Sequence, residues 1–362
     1  MQEICYKNAN ILSLQRGKLE LRDILVSDGK ISKIAKGIDF KGKSVDLERG
    51  IVVPSFVNVF CQNFRAFEKT YGKIDAKNFK NSSQRAEFSE NIENLMKIKN
   101  YLAGASIFND VKIGNPFNSW LAEDLSEMDE KDLLALSCNV AQNKQKLFLR
   151  AGGDLNELGI MDRTYKKPLS QVLEDFGILD RKPVIVGGNC FEKDELSLLA
   201  QYDCDFCITP SEDGKFGRRP TNLVSLNSMN FKIGIGSGYS FEVDFFGFMR
   251  QILMTQRGLF EDENCLSEQD VLKMATVVGG KILTGRDTSI KELNDANFFV
   301  LKNTPSLYDD IFKTIVWEKS KKDVTITVKN GEIVQKNGKI VSENLPTYDK
   351  IIETIIRLTR RK

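Results

Sequence analysis

Residues 52–62 (VVPSFVNVFCQ) form an apolar strand that a proline opens and a polar tip closes. A short apolar run between such punctuation suits a strand buried in a core. The rest of the chain has to be laid out around it. With 362 residues the chain can bury one barrel-sized core or two ordinary domains.

Upstream of that strand, Ile4–Leu14, Leu19–Val26 and Ile31–Ile34 alternate loosely, and Ser27-Asp28-Gly29-Lys30 signals a hairpin turn. Downstream, Phe88, Ile92, Leu95, Ile98 and Leu102 keep helix spacing across 82–103. Residues 116–136 read as largely helical, and 147–150 (LFLR) as the next clear strand. The strand 183–189 (PVIVGGN), a helix over 194–201 and a strand over 205–209 follow. Val324 to Val341 reads as a hairpin turning at Asn330-Gly331 and Asn337-Gly338. A last helix, 347–361, carries basic residues at its end, where they suit the helix dipole better than a nucleic acid.

Composition narrows the class. Apolar content of 41% and charged content of 28% are those of a globular protein, and a net charge of +2 offers no argument for nucleic-acid binding. No apolar run is long enough to cross a membrane, and the N-terminus lacks a signal-peptide pattern, so a cytoplasmic protein is expected. Seven scattered cysteines read as reduced thiols; the lone C-x-x-C, Cys204 to Cys207, has no second pair to complete a metal site. There is no histidine at all. That removes the commonest zinc ligand and the commonest acid–base group near neutral pH.

The strand 52–62 resembles the first barrel strand of the amidohydrolase superfamily, which ends in H-x-H; here Phe60 and Gln62 hold the two histidine positions. Further motifs are similar in order. Residues 23–31 (DILVSDGKI) match the family's N-terminus, 102–110 (LAGASIFND) its second strand, and 165–189 the stretch that ends in H-G-N or H-C-N. Pro210, Gly217 and Pro220 fit its C-P-x-S-N loop, 233–238 (IGIGSG) its last metal-bearing strand, and 244–250 and 266–285 its helices. The deaminase and chlorohydrolase branch, with adenosine-type and aminofutalosine deaminases, is the nearest flavour. The resemblance implies an α/β fold: a TIM-like (β/α) barrel over 53–293 and a small composite β-sandwich domain from 1–52 plus 294–345, with 346–362 a C-terminal helix. The stretch between 110 and 147 is compressed, so a missing βα unit, or a strand too short to recognise, is expected there.

In that branch one divalent metal activates water. Its ligand positions fall here on Phe60, Gln62, Arg150, Gly187 and Gly238, and a substrate-contacting glutamate falls near Gly153. Two glycines and a phenylalanine offer no donor, Arg150 is a permanent cation, and a neutral Gln62 is a poor zinc ligand. The expectation is therefore no zinc or iron cofactor and no catalytic residue of the family type. Arg150, Asn189, Glu212 and Asp213 remain as candidate ligand-binding residues. Glu192 and Asp194 lie on neighbouring loops, where ordinary caps are the simpler reading. Gly234-x-Gly236-x-Gly238 matches a nucleotide loop by letters alone and lacks the acidic partner. Three functions follow: an inactive homologue that binds a ligand or partner, a working hydrolase on C–N bonds with a rearranged site, or an interaction module without a pocket. The expected partner is a small molecule, anionic or purine-like, with no nucleic acid or membrane, and a homo-oligomer is compatible. Arg150 would either hold an anion or plug the mouth by pairing with a local acid such as Asp154.

Overall fold

The structure, a computed structural model, describes residues 3–74, 79–110, 119–341 and 345–359. The opening apolar run is two strands in two sheets, divided at Ser55. Ile51–Pro54 (β5) belongs to a nine-stranded sheet built from both chain ends; Phe56–Cys61 (β6) starts the barrel. Pro54 ends the first strand, and the Ser55 hydroxyl ties the junction by accepting from the Ser106 N–H at 2.7 Å.

The N-terminal members of the composite sheet are β1 (Glu3–Ser13), β2 (Lys18–Ser27), β3 (Lys30–Ala35) and β4 (Lys43–Asp46). The C-terminal members are β13 (Phe298–Leu301), β14 (Val324–Lys329), β15 (Glu332–Lys336) and β16 (Lys339–Ile340). β5 joins the halves, parallel to β1 and antiparallel to β13. Apolar alternation fills the inner face: Ile4, Tyr6, Ile24, Val26, Val52, Phe298, Val300 and Ile326 share one core.

The barrel continues with β7 (Ala105–Asp110), β8 (Ser119–Ala122), β9 (Lys146–Ala151), β10 (Val184–Gly187), β11 (Asp205–Ile208) and β12 (Ile233–Ile235). β6 pairs in parallel with β7, and β8 to β12 form one parallel sheet in chain order. A bridge from Cys61 to Gly238 closes β6 onto the chain beyond β12. Seven barrel strands are thus present among the described residues, one fewer than a (β/α)8 barrel has. Val57, Val59, Phe60, Phe148, Val184, Val186 and Cys207 fill its interior.

The segment expected to be largely helical over 116–136 is different. Ser119–Ala122 pairs with β9, a single 3₁₀ turn follows at Leu125–Glu127, and the helix is Glu130–Gln142. Residues 111–118 lie outside the described residues. The final helix, Tyr348–Thr359, packs through Ile351, Ile355 and Leu358, and Arg357 pairs with Glu87 at 2.6 Å. No helix among the described residues is long and apolar enough to cross a membrane.

Candidate functional site at the barrel mouth

The C-terminal ends of the barrel strands converge on one buried carboxylate. Glu212, on the short helix Pro210–Phe216 after β11, is fully buried. Both its oxygens face Arg150, which reaches across from β9: Nη2 donates to Oε1 and Nη1 to Oε2 at 3.5 Å. Arg218 Nη1 donates to the same Oε1 at 2.6 Å, and the Tyr239 backbone N–H to Oε2 at 2.9 Å. The Arg150 guanidinium also lies 4.3 Å from the Tyr239 ring centroid and 5.7 Å from that of Phe60.

Gly238 makes this arrangement possible. Its φ is +57°, and a Cβ there would fall onto Glu212 Oε2. The carboxylate therefore occupies the space into which a side chain at position 238 would project. An acidic group stands at that point of the mouth, supplied from the short helix after β11, and a guanidinium faces it.

The other positions singled out by the sequence divide. Phe60 packs inward against Phe148, ring centroids 6.0 Å apart. Gln62 is 1% exposed, yet neither atom of its amide has a hydrogen-bond partner among the described residues. Gly187 lines the mouth with φ +100°, a conformation that explains glycine there without any lost side chain. Asn189 donates to the Arg219 carbonyl, and its Oδ1 is buried without a partner among the described residues. Asp213 lies 3.9 Å from Arg218, and burial with the neighbouring Glu212 charge pushes its carboxyl up to about 7. Glu192 forms a capping box with Glu195, and Asp194 sits in the first turn of that helix, as ordinary caps do. Asp154 does not pair with Arg150. It caps the helix Leu155–Tyr165 by accepting from the Glu157 N–H at 2.8 Å, so its carboxylate is already used, and the partner is Glu212, 62 residues away in sequence.

A cleft of about 280 Å³ opens above this cluster, lined among others by Arg65, Lys69, Arg150, Glu157, Arg218 and Tyr239. Sequence reasoning passed over four of its groups. Arg218 and Tyr239 had a signal, since one stands in the loop framed by Gly217 and Pro220 and the other follows Gly238. Glu123, which accepts from the Tyr239 hydroxyl, had none, and Glu157 had only the family glutamate placed near Gly153. Glu157 accepts from the Gly153 N–H at 3.1 Å, close to where the resemblance places a glutamate, and burial pushes its carboxyl up to about 7.

No family model matches the chain. Among curated proteins it is similar to 5-methylthioadenosine/S-adenosylhomocysteine deaminases. It is 24% identical to that of Bacillus cytotoxicus over 199 residues, 53% of this chain and 46% of that protein. To that of Bacillus cereus it is 23% identical over 201 residues, with 53% and 46% covered. The chain spans about half the length of the curated relatives it matches. Solved structures match its fold over nearly the whole chain. Adenosine deaminase from Xanthomonas campestris with bound zinc gives a TM-score of 0.82 at 12% identity, covering 98% of this chain and 97% of that one. Atrazine chlorohydrolase from Arthrobacter aurescens, complexed with zinc, gives 0.77 at 14%, covering 99% and 100%. Guanine deaminase from C. acetobutylicum with bound guanine gives 0.71 at 12%, covering 92% and 100%. These neighbours are amidohydrolase-type deaminases and chlorohydrolases, so the resemblance and the fold class read from the motifs are borne out.

The same neighbours correct the expectation that no metal cofactor goes with this chain. Two of the three structures just described hold zinc. The side chains at this mouth are nevertheless a poor match to such an ion. Glu212 is saturated by two guanidinium groups, and among the described residues no three His, Cys, Asp or Glu side chains stand close enough to share a metal.

Proposed function

We propose that this chain, similar in fold to amidohydrolase-type deaminases and chlorohydrolases, binds a small anionic or purine-like molecule at its barrel mouth without their hydrolytic turnover. The observation that carries this reading is the Glu212 carboxylate, set where a side chain at 238 would stand and engaged by Arg150, Arg218 and the Tyr239 N–H. A carboxylate occupied by four hydrogen bonds is a clamp for two cations, not a base free to take a proton from water. A purine-like ligand is supported by the guanine in one neighbour and by the 5-methylthioadenosine deaminases among the relatives. The cleft argues against an interaction module without a pocket. Seven cysteines that form no disulfide support a cytoplasmic setting.

One observation favours the second reading, an active hydrolase with a rearranged site. Glu157 lines the same cleft, and with its carboxyl pushed up to about 7, chiefly by burial, it is suited to moving a proton near neutral pH. The two readings separate in an ammonia-release assay. The protein is incubated with adenosine, guanine and 5-methylthioadenosine, with and without added zinc. We expect no release above the protein-free control. Release that Glu157→Gln abolishes would establish the second reading and end the first.

A further inference from the structure

Cations gather at the outer edge of the mouth, where Lys69, Arg218 and Arg219 share a wall with the single carboxylate of Asp154. Arg150 and Arg218 converge on the single carboxylate of Glu212. Several acids of the inner cleft already have other partners. Asp154 is committed to a helix cap, Glu157 receives the Gly153 N–H, and Glu123 receives the Tyr239 hydroxyl and pairs with Arg65 at 3.5 Å. Asp213 forms a long ion pair with Arg218 at 3.9 Å, beyond a hydrogen bond, so Arg218 keeps donors free toward the outer chamber. Arg218 is also the more accessible of the two guanidiniums, with its side chain 28% exposed against 12% for Arg150.

The cleft continues outward into a second chamber of about 540 Å³, and Lys69, Arg218 and Tyr239 line both. Phe216 and Leu155, two exposed apolar side chains, stand on the wall of the outer chamber. Lys69 Nζ lies 5.7 Å from the centre of the Phe216 ring and Arg218 Cζ 5.9 Å from it. An aromatic face and two cations therefore share one opening.

From this juxtaposition we infer that the groove takes a ligand joining an oxyanion head, a phosphate monoester or carboxylate, to a flat ring, with the head on Arg218 and Lys69 and the ring against Phe216. The inference rests on the reading of the mouth as a small-molecule site and narrows its ligand class. A guanidinium with donors to spare binds an oxyanion by paired charge-assisted hydrogen bonds, and a flat ring gains by covering an exposed aromatic face. A neutral nucleoside would use only the second of these.

The test measures thermal stabilisation of the full chain by adenosine 5′-monophosphate, adenosine and inorganic phosphate, with ammonia followed in the same samples. The monophosphate should stabilise most, phosphate weakly, and adenosine least. Arg218→Gln should weaken the monophosphate by about tenfold or more. The unliganded protein should still fold, because Arg150 and the Tyr239 N–H continue to hold Glu212. Lys69→Gln, at an exposed position outside the buried cluster, should weaken it in the same direction and guards against misfolding of the first variant. Phe216→Ala should weaken the monophosphate while leaving phosphate unchanged. Equal stabilisation by adenosine and its monophosphate, no stabilisation by either anion, or full affinity in both charge variants would overturn the inference. Ammonia released from adenosine would instead overturn the reading of the mouth as non-hydrolytic, whatever the anions do.

Discussion

A guanidinium that shares a fully buried carboxylate cannot be removed without stranding a charge. Arg150→Ala leaves Glu212 with Arg218 and one backbone N–H, in a place water does not reach. Breaking a buried pair from one side costs about 3–5 kcal/mol, and the remaining partners should hold the loss to about 2–4 kcal/mol. Urea unfolding of the unliganded protein measures this, and a change below about 0.5 kcal/mol would show that Arg150 is not a structural partner of Glu212. Asp213 adds a pH dependence. Its carboxyl is raised to about 7 in the folded chain, first by burial and then by the Glu212 charge, so between about pH 4 and 7 the folded state holds a proton that the unfolded state has lost. Its contribution is fully present below the unfolded value and disappears as pH rises through 7. Asp213→Asn should flatten this decline and raise stability at pH 8 by about 1–3 kcal/mol relative to the parent, read from unfolding midpoints across pH. A parallel decline in parent and variant would refute it. Arg150 at the mouth and Glu212 and Asp213 as candidates were legible in the sequence, but not the Arg150–Glu212 pairing, because it joins residues 62 positions apart on different elements. Gly238 was legible only as a loss; its positive φ and its contact with Glu212 are facts of three dimensions.

At the scale of elements, legibility followed turn chemistry and length. The three expected hairpin turns, at Asp28-Gly29, Asn330-Gly331 and Asn337-Gly338, all place both residues at positive φ, from +47° to +80°. That is what a two-residue hairpin turn with matching twist demands, and Asn-Gly or Asp-Gly meets it at least cost. Two of these turns also meet in space: a Cβ on Gly331 would lie 2.6 Å from Val26 Cγ1, and one on Gly29 would lie 3.1 Å from the Asn330 carbonyl oxygen. The turns were written locally, their contact was not. β8 shows the opposite case. Its four residues, Ser119 to Ala122, include no β-branched side chain and are too few to display a period of two. Pairing with β9 makes them a strand, and only the distant partner supplies that reason. The run 52–62 was read as one strand because its apolar character is unbroken. The break at Ser55 comes from Pro54, which ends β5, and from two other segments: Ser106 donates its N–H and hydroxyl to the Ser55 hydroxyl, and the Asn297 carbonyl accepts the Ser55 N–H.

For the molecule as a whole, we propose that residues 1–52 and 294–345 fold as one unit that cannot be divided. β5 is the reason. It is hydrogen-bonded to β1 on one side and to β13 on the other, in the register Val53 with Phe299 and Pro54 with Phe298. Removing the chain after residue 293 would strip β13 to β16 from the sheet and leave β5 as an edge with buried Ile51, Val52 and Val53 uncovered. An apolar, unprotected edge strand pairs with other chains. The damage would also reach the barrel, because Phe56 at the start of β6 lies 4.5 Å from the Phe299 ring centroid, and Phe246 packs on both. A chain ending at 293 should therefore aggregate, or lose cooperative unfolding when kept in solution by mild denaturant. The barrel alone, by contrast, has an interior filled from its own strands and from the helix Gly279–Thr284. A soluble 1–293 product that melts in one sharp transition would mean that this interior suffices, that β1 to β5 tolerate an open edge, and that the two ends are separable after all.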